Sequence, residues 1–212
     1  MVKHLYIRVL LAILILGSIY QSEAWANNHL EGFSPNVLTE INKLGAGEIQ
    51  YFTKSRFEKI DTAKYKILKF EVPKEQRPSI LNTLKNKVNH TEYQVFYTQA
   101  SFDSTPESVC VLRSADKYDI LRGLSTNGIN YDIDTEQLIR KLSQWDSTYG
   151  IDIIGADGDW VEIKFHKLPK DIRKFAEEIY QFCPDSVDQG VGSVEALAKC
   201  IQANRGVFLW WD

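Results

Sequence analysis

Between Ile151 and Phe165 the chain reads IDIIGADGDWVEIKF, and no other stretch narrows the possible folds as much. Asp157-Gly158 is a two-residue turn signal, and beyond it Val161, Ile163 and Phe165 alternate with Trp160, Glu162 and Lys164. A period of two on either side of such a turn predicts an antiparallel hairpin with one face on a core.

Helical periodicity surrounds the hairpin. Asp134 or Thr135 caps a predicted helix carrying Leu138, Leu142, Trp145 and Tyr149, and Gly150 ends it. Pro169 opens another, with Ile172, Phe175, Ala176 and Ile179 as its buried stripe before Pro184. Ser193 caps a third, with Leu197 and Ile201, and Gly206 leads into the closing GVFLWWD. There Val207, Leu209 and Trp211 fall on one strand face and Phe208 and Trp210 on the other. Apolar residues on both faces predict a strand inside a sheet that is covered on both sides. The tryptophans read first as core, with a partner-lining Trp as the alternative. Asp212 adds its carboxylate to that of the chain terminus.

The first half is patterned in the same way. Ser34 and Pro35 begin a helix with Val37, Leu38, Ile41 and Leu44 on one stripe, and Gly45 stops it. A strand is expected around Ile49, Tyr51 and Phe52. Another carries Leu68, Phe70 and Val72 and ends at Pro73. Ile80, Leu81, Leu84 and Val88 recur at helical spacing, EYQVFYTQA and SVCVLR read as strands, and SADKYDILRGLS reads as a short helix. The fold class is therefore α+β: two packed α/β subdomains with mostly antiparallel sheets, spanning residues 27–115 and 116–212, the C-terminal strand buried in its sheet, with one continuous sheet across both halves as the alternative that the patterns leave open.

With 212 residues, 44% hydrophobic and 12% aromatic, the chain has material for a substantial core. A formal charge of -3 and a pI near 5.9 lack the basic excess that nucleic-acid binding demands. At the N-terminus, Lys3 and Arg8 precede the apolar run Val9–Leu16, and Ala24-Trp25-Ala26 has the small-x-small form of a cleavage site. Residues 1–26 thus read as an export signal. The run gives out well short of the about 20 apolar residues a membrane span needs. Loss of Lys3, Arg8 and Glu23 takes 25 basic and 28 acidic residues to 23 and 27, a mature charge of -4. The mature protein is expected to be periplasmic in a Gram-negative cell and secreted otherwise, with no stable membrane span.

In an exported protein Cys183 and Cys200 can form a disulfide, worth about 3 kcal/mol for a loop of that size. The other reading makes Cys110, Cys183 and Cys200 small buried hydrophobes. His29, His90 and His166 have no partner at zinc-ligand spacing, so neither metal nor cofactor is expected. Asn89-His90-Thr91 has the form of an N-glycosylation acceptor, relevant only in a eukaryotic secretory pathway.

TNGINYDI, IIGADGDWVEIKF, EEIYQFCPDSVDQGVGSVEALA and the closing LWWD together resemble the bacterial family catalogued as domain of unknown function 4253, which typically ends in Trp-Trp-Asp. The resemblance runs from near Lys117 to Asp212. It implies a compact α+β domain at the C-terminus and brings no established activity with it.

Two functions follow as expectations. The first is an exported module that holds a protein partner, such as a toxin acting in the cell envelope, through Trp160, Asp185, Asp188, Trp210 and Asp212. The second is an envelope hydrolase assembled from Cys183, His166 and Asp185, beside a mobile loop at residues 184–192.

Overall fold

A computed structural model describes residues 30–45, 47–54, 59–88, 92–99 and 107–212. The expected leader at 1–26 and the Asn89–Thr91 acceptor lie outside the described residues. Among the described residues no helix is long and apolar enough to cross a membrane.

Local signals become elements close to where the patterns place them. Helix α1 (Pro35–Lys43) starts at Ser34, whose side chain accepts from the Val37 amide. Strands β1 (Gln50–Tyr51) and β2 (Ile67–Val72), helix α2 (Arg77–Val88), and strands β3 (Tyr93–Thr98) and β4 (Glu107–Arg113) follow. Helix α3 (Asp119–Leu124) and a 3₁₀ turn (Ile129–Tyr131) lead to α4 (Thr135–Tyr149), which opens on a reciprocal capping box between Asp134 and Gln137. The hairpin β5 (Ile151–Asp157) and β6 (Trp160–Phe165) is next, then α5 (Ile172–Phe182), a π-helical turn (Ser186–Val191), α6 (Val194–Asn204) and β7 (Gly206–Trp210). Helix α5 begins at an Asp171 cap, two residues after the Pro169 start that the pattern suggested.

All seven strands form one sheet in the order β1-β2-β4-β3-β5-β6-β7. Every neighbouring pair is antiparallel except β3 and β5, which run parallel with Tyr97 opposite Gly155. The two halves of the chain therefore share a sheet where two were expected. The Tyr97 ring lies so close over Gly155 that a Cβ there would sit 2.2 Å from Cε1, so glycine is what allows the joint to close. A register irregularity between Ile153 and Gly155 accompanies it.

The sheet separates two cores. On one face Leu68, Phe70, Val95, Tyr97, Val109, Val111 and Trp160 pack under α1 and α2. On the other Ile67, Phe96, Leu112, Ile153, Val161, Ile163 and Leu209 pack under the C-terminal helices. Each half thus supplies helices to one face of the common sheet, a three-layer arrangement.

β7 is an edge strand, not the interior strand that its apolar faces suggested. Its faces are covered all the same: Val207, Leu209 and Trp211 belong to one core, and Phe208 and Trp210 pack against the other. Apolar content reports coverage of the faces and is silent about lateral neighbours.

At the start of β7, a Cβ on Gly206 would lie 2.3 Å from the Ile163 carbonyl oxygen, a backbone atom that cannot move without opening the β6–β7 ladder. Gly206→Ala is expected to cost about 2–3 kcal/mol. Gly47→Ala, whose nearest contact would be Glu71 O at 3.8 Å, should stay within about 0.5 kcal/mol. Urea unfolding midpoints of the two variants check the contrast.

Candidate functional site

The outward edge of β7 is met by side chains of a neighbouring turn. The Trp211 amide donates to Asp159 O at 3.1 Å, so odd-numbered residues of this strand face β6 and even-numbered ones face outward. Three of the outward groups, the carbonyls of Phe208 and Trp210 and the amide of Asp212, meet side chains of the 183–186 segment. Ser186 Oγ donates to Phe208 O at 3.3 Å, Cys183 Sγ donates to Trp210 O at 3.0 Å, and the Asp212 amide donates to Asp185 Oδ2 at 2.9 Å. Three side chains on one turn thus replace a neighbouring strand.

Asp185 ties more to this corner. Its Oδ1 accepts from Tyr131 Oη at 2.7 Å and from Gln189 Nε2 at 2.9 Å. Burial alone would raise its pKa; the bonds from the Asp212 amide, Tyr131 and Gln189 outweigh that and hold it below the usual aspartate value. Tyr131 is correspondingly pushed up to about 12, first by its bond to Asp185. Nearby Asp188 accepts from Tyr180 Oη at 3.0 Å.

Tyr131 anchors a turn whose other side faces solvent. Gly128 and Ile133 pair across it, Asn127 Oδ1 accepts from the Ile129 amide at 3.1 Å, and the Trp211 ring fills the space where a Gly128 side chain would be. The result is a rigid projection: Ile129 is 67% exposed and Tyr131 38%, flanked by exposed Asp132 and Asp134. With Asp188 and Asp212, both exposed, they form a candidate surface of one aliphatic tip, one aromatic ring and an acidic surround.

The expected site residues divide on this geometry. Asp188 and Asp212 are exposed and Trp210 is half-buried, so all three are available to a partner. Trp160 is not: it is 1% exposed, stacked on Phe208 with centroids 5.2 Å apart and tilted against Tyr97 at 5.3 Å. Asp185 is buried too, and its carboxylate is occupied by the chain terminus and Tyr131. Their recognition roles are therefore withdrawn: Trp160 is core, and Asp185 positions the surface from beneath. Ile129 and Tyr131 were the residues the patterns did not single out. The available signal was Ile129 and Tyr131 inside TNGINYD, a segment otherwise made of polar and turn-forming residues.

The alternative catalytic set is not brought together. His166 follows β6 at the end opposite Trp160 and lies 3.3 Å from Asp152, whereas Cys183 sits beside Trp210, the partner of Trp160. Six residues of strand at about 3.3 Å each put roughly 20 Å between imidazole and thiol. Burial also pushes the Cys183 thiol up, away from the reactive thiolate. The segment 184–192 is a hydrogen-bonded π-helical turn and not an open loop. The Cys183–Cys200 bridge is likewise absent: all three cysteines are free thiols, and Cys183 Sγ is engaged by Ser186 Oγ at 3.1 Å and by Trp210 O. Among the described residues no group of His, Cys, Asp and Glu could hold a metal ion.

Residues 108–212, which run from β4 to the terminus, match the model of the family described as Domain of unknown function (DUF4253). No curated protein and no solved structure matches the chain.

Asp185 is held below its unfolded value, so its contribution to stability is complete above the ordinary aspartate pKa of about 3.9 and is lost as pH falls through the lower folded value. Asp185→Asn should remove that part of the acid sensitivity and cost about 2 kcal/mol at pH 7. Urea unfolding of both proteins at pH 7 and below pH 4 reads the two effects; equal acid sensitivity would contradict the assignment. The thiols give an independent check. In the native protein Cys200 should react with iodoacetamide first, and Cys110 and Cys183, both buried with raised pKa values, only on unfolding. Peptide mapping of the labelled protein identifies the order.

Proposed function

We propose that this chain, whose C-terminal half belongs to the DUF4253 family, is an exported module that binds a protein partner of basic surface through the Ile129–Tyr131 projection. The observation that carries the reading is the 67% exposure of Ile129 on a turn that is otherwise fully braced. An aliphatic side chain held in water gains nothing for the fold; filling a recess on another protein would remove its apolar surface from water. Tyr131 beside it brings a large contact area at small entropic cost, because its hydroxyl is already fixed by Asp185. Asp132, Asp134, Asp188 and Asp212 set the sign of the partner: a basic surface is drawn in and an acidic one rejected.

Export is part of the proposal and rests on the leader-like segment at residues 1–26. A neutraliser of an envelope-acting toxin fits such a module, since covering a basic active surface needs complementarity and no chemistry of its own.

Affinity capture from the envelope fraction of the source cell, run in parallel with wild type and with Ile129→Arg, tests the reading. One basic protein should be retained by wild type. Ile129→Arg should weaken it at least tenfold, and raised salt should weaken it further. Lys199→Glu, an exposed change on α6 outside this surface, should leave it unchanged. Failure to retain any protein, or equal retention by Ile129→Arg, would overturn the proposal.

A further inference from the structure

A cavity of about 380 Å³ opens between β3 and β5 on the N-terminal side of their Tyr97–Gly155 pairing. Residues of both strands line it, so it straddles the seam between the halves of the chain. Its polar lining consists of Asn82, Lys85 and Asn86 of α2, Gln94 of β3, Asp152 of β5, and Lys117. Asn82, Lys85 and Asn86 are three and four residues apart, so one face of α2 delivers a cation and two amides to the same space.

The two lysines differ. Lys117 donates to Ile151 O at 2.7 Å and pairs with Asp146 at 2.7 Å, so its charge is answered. Lys85 reaches Ile153 O at 3.5 Å, the outer limit of a hydrogen bond, and has no ion pair among the described residues. Asp152 is exposed and lies 3.3 Å from His166. Burial lowers the Lys85 pKa, and the Asp152 carboxylate on the same cleft offsets that only in part, the mark of an ammonium that has lost more from water than its surroundings return. A protein carries such a group at a cost, and an anion entering the cleft would supply the missing partner.

We propose that this cleft binds a small polyhydroxylated anion, a phosphorylated sugar by class, with the phosphate on Lys85 and the hydroxyls on the side-chain amides of Asn82, Asn86 and Gln94. Lys85 provides the charge, and the side-chain amides of Asn82 and Asn86, with the side-chain carbonyl of Gln94, whose N–H donates to Ser114 O, offer partners to hydroxyls. The site shares no residue with the Ile129 surface, and its occupancy would bridge α2 and β3 to β5.

Isothermal titration of the full chain with glucose 6-phosphate, inorganic phosphate and glucose tests this. Glucose 6-phosphate should bind more tightly than phosphate, and glucose without its phosphate should give no measurable heat. Lys85→Gln should weaken glucose 6-phosphate at least tenfold. Asn86→Asp, an exposed change that the fold tolerates, should weaken it as well by setting a negative charge beside the phosphate. Lys199→Gln should have no effect. The proposal is overturned if neither anion binds at millimolar concentration, if glucose binds as well as its phosphate, or if a folded Lys85→Gln binds like wild type.

Discussion

An edge strand leaves a row of backbone donors and acceptors that must be satisfied, and in this protein the answer to that constraint organises the whole C-terminal corner. The outward carbonyls of Phe208 and Trp210 and the outward amide of Asp212 are met by Ser186, Cys183 and Asp185. These three side chains can do so only if the backbone between them turns tightly, which is what Pro184 and the π-helical turn provide. The same carboxylate that accepts from the Asp212 amide also receives Tyr131. Structural closure and the exposed surface are thus one network, and a change at Asp185 reaches both.

A second constraint acts at the middle of the sheet. Antiparallel hairpins assemble from neighbours in sequence, but β3 and β5 are separated by β4, α3 and α4 and meet in parallel at Tyr97 and Gly155. Tyr97 makes that meeting specific. Its hydroxyl donates to Glu162 at 2.6 Å, its ring packs against Trp160, and the Arg77 guanidinium lies 4.0 Å from the ring centroid. Arg77 in turn reaches the buried Glu107 carboxylate at 3.0 Å. Side chains from α2, β3, β4 and β6 therefore converge where the backbone pairing is thinnest, which compensates for a short ladder.

Much of this architecture was legible in the residues. Caps at Ser34, Asp134 and Ser193, the Asp157-Gly158 turn and the alternation through β6 are local signals, decided by atoms a few residues apart, and they form as read. What escaped was lateral and long-range. That β7 lies at the edge, that one sheet serves both halves, and that Cys183 bonds to a carbonyl instead of Cys200 all depend on which segments meet in space. Trp160 shows the limit most plainly. Its alternation placed it opposite Val161 correctly, yet only the presence of α1 and α2 on that face, contributed by the other half of the chain, makes it core instead of surface.

The contrast between the two candidate sites follows from how each is held. Ile129 and Tyr131 stand on a turn pinned by Asn127, by the Gly128–Ile133 pairing and by Asp185, so little conformational entropy remains to be lost on contact with a large surface. That suits a macromolecule, whose binding depends on a preset shape. The cleft beside Lys85 is the reverse: the cation within it is under-coordinated, so the missing element is a small complementary charge and not a shape. A protein surface could not enter a cavity of about 380 Å³, and a small anion would have nothing to grip on the Ile129 projection. The two surfaces therefore call for different classes of ligand, and because their residues do not overlap, each can be occupied without displacing the other.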